Sequence, residues 1–158
     1  MNSKKEKKHT VLVEGPISPL FIADSISKHS TKTDIGAHAI FLGQVRSDRI
    51  GDKKVKSILY SAYQEMAELE FHKIREHAFD RFQLTCMHLY HSLGEVKAGE
   101  ISLFVFVSSI HRADAFTACR ELVDEIKLKV PIWGKEMLDD GSFVWKANNI
   151  TTFENDHP

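Results

Sequence analysis

The chain has 158 residues, of which 42% are hydrophobic and 27% are charged, with 21 basic side chains against 22 acidic ones. This length suits one domain with a real core, and the composition is typical of a globular protein. A net charge of -1 excludes a broad electrostatic attraction to nucleic acid, and no apolar stretch approaches the roughly 20 residues of a membrane span.

The N-terminus carries the only clustered charge of the chain, four lysines at positions 4, 5, 7 and 8. No apolar segment follows them to make a secretory signal, so we predict a disordered basic terminus over residues 1–9 and a cytoplasmic protein. A nucleic-acid-binding arm is the alternative, but no basic face or aromatic platform elsewhere supports it. Residues 10–148 are predicted to form a single domain, and residues 149–158 a loose tail.

The first half of the domain alternates short strands with helical sequence. Residues 10–14 predict a strand, and Pro19 opens a helix that continues to Ile26. Residues 36–45 predict a strand that is apolar on both alternating faces, which is typical of a strand covered on both sides. The polar, turn-rich segment 46–54 predicts a surface loop.

The second half adds two helices and most of the predicted sheet. The predicted elements are, in order, strand 55–63, helix 64–82, strand 84–93, turn 94–99, strand 100–110, helix 113–129 and a hairpin of strands 132–138 and 142–147. Met66 and Leu69 belong to the apolar positions of the predicted helix 64–82, and Phe116 belongs to those of the predicted helix 113–129. The nearly continuous apolar run 101–107 should lie in the middle of the sheet. Together these elements predict an α+β fold with a mostly antiparallel sheet and two to three helices.

The two cysteines, Cys86 and Cys119, are far apart and have no CxxC spacing. Cys86 falls in a strand-like alternation and Cys119 on a helical apolar stripe. We therefore interpret both as small buried hydrophobic side chains. The alternative, a persulfide-carrying nucleophile, needs an exposed and electropositive setting.

The nine histidines raise the question of a metal site, but their spacing does not support one. His88 and His91 lie three apart on a predicted strand, so their side chains point to opposite faces. His72 and His77 diverge on a predicted helix. We predict neither a metal nor another cofactor.

An anion-binding candidate lies where the apolar strand 100–110 meets a helix, at His111 and Arg112. The amino end of a helix presents unpaired N–H groups and the positive pole of the helix dipole, which together bind phosphate. An ordinary salt bridge for Arg112 and a satisfied turn for His111 explain the same residues.

Two further basic features flank polar or turn sequence. Lys127, Lys129 and Lys135 surround the junction at Pro131, and Arg46 ends the strand 36–45. Lysines at a helix carboxyl end are also ordinary partners of the helix dipole. None of these features is specific alone.

Four segments in the same order resemble the molybdopterin synthase large-subunit family. They are GAHAIFLGQVR (36–46), HSLGEVKAGE (91–100), VSSIHRADAF (107–116) and EIKLKVPIWGKE (125–136), and the resemblance covers residues 36–147. It implies an α/β hammerhead-type fold, a central homodimer, and a small ubiquitin-like subunit docked at each end. That partner carries sulfur as a C-terminal thiocarboxylate.

The resemblance also implies a reaction and the residues that perform it. The family converts cyclic pyranopterin monophosphate to molybdopterin by transferring two sulfurs from its partner. On this chain, Phe41 and Arg46 would line the pocket, His111 and Arg112 would hold the substrate anion, and Lys127 would be the principal catalytic residue. A cysteine nucleophile is not required, because sulfur arrives on the partner.

The chain departs from the family pattern after its Pro-Ile-Trp segment. The family usually has two basic residues in succession there, whereas this sequence has Gly134 followed by Lys135. Because glycine permits a bulge, we predict that a bulge at Gly134 turns Lys135 into the pocket as a second catalytic residue. If it does not, the remaining explanations are that Lys129 takes this role or that the enzyme is weakened. Asn148 marks a similar loss of a basic residue.

The spacing of the candidates has a geometric consequence. His111 and Lys127 bracket one helix and are therefore roughly 20 Å or more apart. If both act on one substrate, the site must be shared across a dimer. Two alternatives remain: a non-catalytic dimeric module that binds a phosphorylated ligand or a partner's tail, and a sulfurtransferase that uses Cys86 or Cys119.

Overall fold

The computed structural model describes residues 11–146, so the predicted basic terminus, the tail and Asn148 lie outside the described residues. The described elements are β1 Leu12–Glu14, α1 Pro19–Ser27, β2 Ala37–Gln44, β3 Arg49–Ile50, β4 Lys53–Ala62, α2 Gln64–Arg81, β5 Cys86–Lys97, β6 Ile101–Ser109, α3 Arg112–Lys129, β7 Ile132–Leu138 and β8 Phe143–Trp145. The predicted α+β class with a mostly antiparallel sheet is confirmed. The division into one domain and two terminal segments stays a prediction.

The sheet runs in the order β2-β6-β5-β4-β7-β8, with β1 parallel to β5 and β3 paired with β4. Its longest strand, β5, pairs with β6 through residues 86–91 and with β4 through residues 94–97. The turn predicted at 94–99 is therefore wrong. Gly94 adopts a φ of 78° within the strand, and the chain reverses over residues 98–100. The apolar strand β6 has a neighbour on each side, as predicted.

Helices cover the two faces of β6. Leu103, Val105 and Val107 point into the core beneath α2 and α3, whereas Phe104 and Phe106 point towards α1. Alternate side chains of a strand face opposite sides, so helices on both faces explain why the whole strand is apolar.

The buried stripe of α2 differs from the predicted one. Met66 and Leu69 are exposed, and in their place the helix buries Ala67 and Phe71 against the sheet. Both sets have helical spacing, so the apolar pattern alone did not identify the inner face.

The prediction that both faces of β2 are covered is wrong. Within residues 11–146, β2 pairs only with β6 and forms one edge of the sheet. Ile40 and Leu42 are 38% and 41% exposed, and Phe116 on the neighbouring helix α3 is 67% exposed. Ile40 and Phe116 line a groove of about 470 Å³. We call Ile40, Leu42 and Phe116 the edge surface.

The segment predicted as a loop over residues 46–54 contains a small hairpin. Strand β3 pairs with the start of β4, and Gly51 takes a φ of 64° in the turn between them. The polar composition was informative about exposure but not about pairing. Within the described residues, no helix combines the length and apolar character needed to cross a membrane.

Candidate active site

A cleft of about 410 Å³ opens where the end of β2, the last turn of α3 and the strands β4 and β7 meet. Its lining is mixed, with apolar side chains from the strands and cationic side chains at the mouth. Three predicted site residues contribute to it, namely Phe41, Arg46 and Lys127. The cleft also contains residues that sequence reasoning missed: Tyr60, His91, Ser102, Glu136 and Lys146.

Arg46 follows directly on β2, and the backbone just before it is fixed. The Val45 N–H donates to Glu100 O at 3.0 Å, and Val45 O accepts from the Gly99 N–H at 2.8 Å. The guanidinium contacts Asp48 at 3.2 Å through an exposed ion pair. Since such pairs contribute little, the guanidinium can turn to an anion in the cleft.

Lys127 reaches the cleft from the last turn of α3. Burial of the amine lowers its pKa from the ordinary lysine value, and the positive charges of Lys146 and Arg46 lower it further. Within the described residues Lys127 has no ion-pair partner, whereas Lys129, two positions on, lies 3.8 Å from Glu125. The helix end therefore presents one unpaired amine to the cleft and directs another to a carboxylate.

Lys146 follows β8 and lies beside position 134. Its N–H donates to Gly134 O at 2.8 Å, and a Cβ placed on Gly134 would lie 3.6 Å from the Lys146 Cβ. The predicted hairpin contained the signal for this neighbour, because pairing across the Gly141 turn brings positions 134 and 146 together. Sequence reasoning assigned that strand no function and missed the lysine.

The bulge predicted at Gly134 is wrong. Gly134 pairs regularly with Tyr60, and the irregularity between β4 and β7 lies between Val55 and Ser57 instead. Lys135 consequently points away from the cleft. Its Nζ lies 4.5 Å from the centroid of the Phe143 ring, in a cation–π contact that occupies the amine. The catalytic assignment of Lys135 loses the geometry on which it depended.

The inner wall of the cleft holds a neutral histidine beside a tyrosine. Burial, reinforced by the charges of Lys127 and Lys146, lowers the pKa of His91 to about 4. His91 Nδ1 lies 2.8 Å from Ser92 O, which can only accept, so Nδ1 carries the hydrogen and Nε2 of the neutral ring is an acceptor. The Tyr60 ring packs edge-on against His91 at 5.1 Å.

The Tyr60 hydroxyl continues this polar wall. Tyr60 donates to Ser102 Oγ at 3.2 Å, and burial raises the pKa of the phenol. The wall formed by Tyr60, His91 and Ser102 therefore remains uncharged at neutral pH. The cleft also contains the cations Arg46, Lys127 and Lys146 and the carboxylates of Asp48 and Glu136.

His111 and Arg112 lie at the other end of α3 and do not line this cleft. Both are exposed, and His111 is the N-cap residue without a side-chain capping hydrogen bond. From His111 to Lys127 the helix rises about 24 Å, in agreement with the separation predicted from sequence. One chain therefore does not bring these candidates together.

Comparisons with known proteins identify relatives of this chain. The MoaE protein family model matches residues 16–129. The molybdopterin synthase catalytic subunit of Pyrococcus abyssi is 42% identical over 72% of this chain and 76% of its own length. That of Oryza sativa subsp. indica is 45% identical over the same share of this chain but only 58% of its own length. For the human relative the identity is 38%, over 79% of this chain and 65% of its own.

Solved structures give the same result. Molybdopterin synthase from Staphylococcus aureus superposes with a TM-score of 0.75 at 29% identity, covering 86% of this chain and 95% of that chain. The complex of subunits 1 and 2 of molybdopterin-converting factor from Helicobacter pylori gives a TM-score of 0.73 at 18% identity, covering 87% and 90%, which supports the fold alone. The chain belongs to the MoaE family, in which these relatives are molybdopterin synthase catalytic subunits.

Proposed function

We propose that this chain is the catalytic subunit of a molybdopterin synthase, which converts cyclic pyranopterin monophosphate to molybdopterin. The sulfur donor is the thiocarboxylated C-terminus of a small ubiquitin-like subunit. The observation that carries the proposal is the cleft at the end of α3, where Arg46, Lys127 and Lys146 converge on a neutral polar wall. Family membership supports the reaction type.

The charges of the cleft suit the two reactants. The substrate carries a cyclic phosphate, and the donor is an anionic thiocarboxylate, so both are attracted to a cluster of cations. In each transfer a carbon–sulfur bond forms on the pterin side chain while a carbon–oxygen bond at the same carbon breaks, one of these breaks opening the cyclic phosphate, and the acyl carbon–sulfur bond of the donor breaks. Water replaces the lost sulfur and leaves the partner with a carboxylate.

Lys127 is the residue best placed to move protons during these steps. Its pKa is lower than that of an ordinary lysine and therefore closer to neutral pH, which favours proton transfer to and from the amine. Desolvation and a neighbouring cation are two ways in which enzymes activate a lysine. Phe41 forms an apolar part of the same wall, which can contact the pterin ring.

Lys146 supplies the second amine, in place of Lys135. It lines the cleft, lies over Gly134, and is close enough to Lys127 to lower the pKa of that amine. A lysine at position 134 would have to displace Ile58, whose Cγ2 would be 2.9 Å from the new Cβ. In this chain the position after β8 therefore provides the charge that the family usually places at the glycine.

The sulfur carrier is a separate protein in this proposal. The H. pylori neighbour is a complex of two subunits of molybdopterin-converting factor, which supports a two-subunit assembly for a protein of this fold. Among the described residues, Cys119 is a poor nucleophile because burial raises its pKa. Because the donor brings its own sulfur, the reaction does not require a cysteine nucleophile on this chain.

A homodimer would complete the site with His111 and Arg112. The edge strand β2 and the edge surface offer unpaired backbone groups and exposed apolar side chains beside α3, which a second copy can cover. The partner's helix end would then provide the phosphate contacts that one chain lacks near Lys127.

The test is a reconstituted assay with the pterin precursor and a purified thiocarboxylated small subunit. We expect molybdopterin to form with this donor and not with the same subunit ending in a carboxylate. Precursor binding without product would favour the non-catalytic module. Activity that disappears in Cys119→Ser, or in Cys86→Ser, would favour a sulfurtransferase that uses its own thiol.

A cytoplasmic location is part of the same proposal. Cys86 and Cys119 are both thiols without a disulfide partner, which fits a reducing compartment.

A further inference from the structure

A second cluster of chemically versatile side chains lies on the face of the sheet that carries α1. Cys86 and His88 are two apart on β5 and so point to the same side, and His29 follows α1 and packs over them. One ligand atom from each residue lies within 4.8 Å of the other two. None of the three lines the catalytic cleft.

The ring of His29 is oriented for coordination. Its Nδ1 lies 2.6 Å from Ser25 O, an acceptor, so Nδ1 carries the hydrogen and Nε2 presents its lone pair. That Nε2 lies 3.0 Å from His88 Nε2. Fixing the remote nitrogen by a backbone carbonyl is the arrangement that orients metal-bound histidines. His29 is only 6% exposed, so this orientation is held by packing.

The thiol has a cation beside it. Lys32 Nζ donates to Cys86 Sγ at 2.7 Å, so the sulfur directs a lone pair to a cation. Lys32 is exposed and can swing into solvent when another cation takes its place.

We propose that His29, Cys86 and His88 bind one Zn²⁺ ion, with water in the fourth position. Two imidazoles and one thiolate are a zinc donor set, whereas calcium and magnesium prefer oxygen. On binding, the hydrogen on His88 Nε2 moves to Nδ1 of the same neutral ring, and the thiol proton of Cys86 is released to solvent. The ion would fasten the end of α1 to β5. The sequence pattern Cys-x-His on one strand was a signal for this site, but only the fold brings His29 to it.

The test uses the full chain without an affinity tag, because tag histidines bind zinc. We expect calorimetry to show one tight Zn²⁺ per chain, weakened by about 100-fold or more in Cys86→Ser and unchanged in the matched control Cys119→Ser. Cobalt should give a thiolate-to-metal charge-transfer band in wild type and Cys119→Ser that is absent from Cys86→Ser. When the concentration of free zinc is about 100 times Kd, zinc should also raise the Tm of wild type by about 5 °C.

His88→Ala is the second variant, in case Cys86→Ser does not fold, and should lose the same affinity. Zinc binding that Cys86→Ser retains, or a wild-type cobalt spectrum without the thiolate band, would overturn the proposal. The remaining exposed histidines would then account for any binding.

Discussion

The two ends of helix α3 carry equally suggestive residues but have different surroundings. At the carboxyl end, Lys127 meets Arg46 and Lys146 in a cleft where burial and these two charges lower its pKa. At the amino end, His111 and Arg112 are exposed and line no cleft in the described chain. One chain therefore supplies a complete cleft at the carboxyl end only, and under the proposed function the amino end can reach the same substrate only from a second molecule.

Replacing Lys127 should have the largest effect. We expect Lys127→Ala to reduce product formation by about 100-fold or more, because it removes the amine placed for proton transfer. Lys127 does not belong to the buried stripe that packs α3 against the sheet, so the circular dichroism spectrum and Tm should stay close to wild type. The matched control is Lys129→Ala. Lys129 lies two residues after Lys127 on the same helix and forms an ion pair with Glu125. Equal activity losses in both variants would remove the distinction between the two amines.

The cleft at the carboxyl end of α3 should also make the free energy of unfolding depend on pH, through His91. His91 has a pKa of about 4 when folded and an ordinary value of 6.5 when unfolded, so the unfolded state takes up the proton first. Stability should therefore fall as pH drops from 6.5 to 4, by about 3 kcal/mol, in urea titrations. His91→Asn should flatten this dependence, whereas the exposed control His72→Asn should keep it. A wild-type stability that is constant over this range would contradict the buried neutral histidine.

Replacing Arg112 should affect binding rather than turnover. Loss of one charge-assisted contact to phosphate predicts an apparent substrate affinity lower by about tenfold, with kcat little changed. Lys73→Ala, which removes an exposed cation from α2, is the control for net charge. An unchanged KM in Arg112→Ala would exclude the residue from substrate binding.

Variants of Lys146 and Lys135 test which of the two lysines supplies the second amine of the cleft. Lys146→Ala should lower kcat/KM by about tenfold, whereas Lys135→Ala should stay within about twofold of wild type. Since Lys146 lowers the pKa of Lys127, its removal should move the Lys127 limb of the pH–rate profile to higher pH. Lys146→Arg keeps the charge and should leave that limb in place. A loss confined to Lys135→Ala would restore the original assignment.

Much of the fold followed from local patterns. Pro19 begins α1 with the Ser18 hydroxyl as its cap, and Pro131 follows the end of α3, because capping and proline geometry act within a few residues. The exposure of β2 and the continuous course of β5 through Gly94 did not follow. Both depend on which strands are neighbours, which periodicity does not encode.

The candidate site divides in the same way. The resemblance to the family implied site roles for Arg46 and Lys127, whereas their positions at the ends of elements were not specific alone. It placed Lys135 wrongly, because the direction of a strand side chain depends on a register that only the partner strand fixes. Lys146 was missed because its role comes from crossing a hairpin to Gly134.

The central claim is that the carboxyl end of α3 from one chain and the amino end from another form one site. Activity of verified mixed dimers between Lys127→Ala chains and His111→Ala/Arg112→Ala chains tests it most directly. In each mixed dimer one site keeps both wild-type ends, so at substrate concentrations well below KM a shared site predicts recovery of about half of the wild-type activity from two impaired parents. Mixed dimers that are no more active than their parents under the same conditions would show that each site is built within one chain.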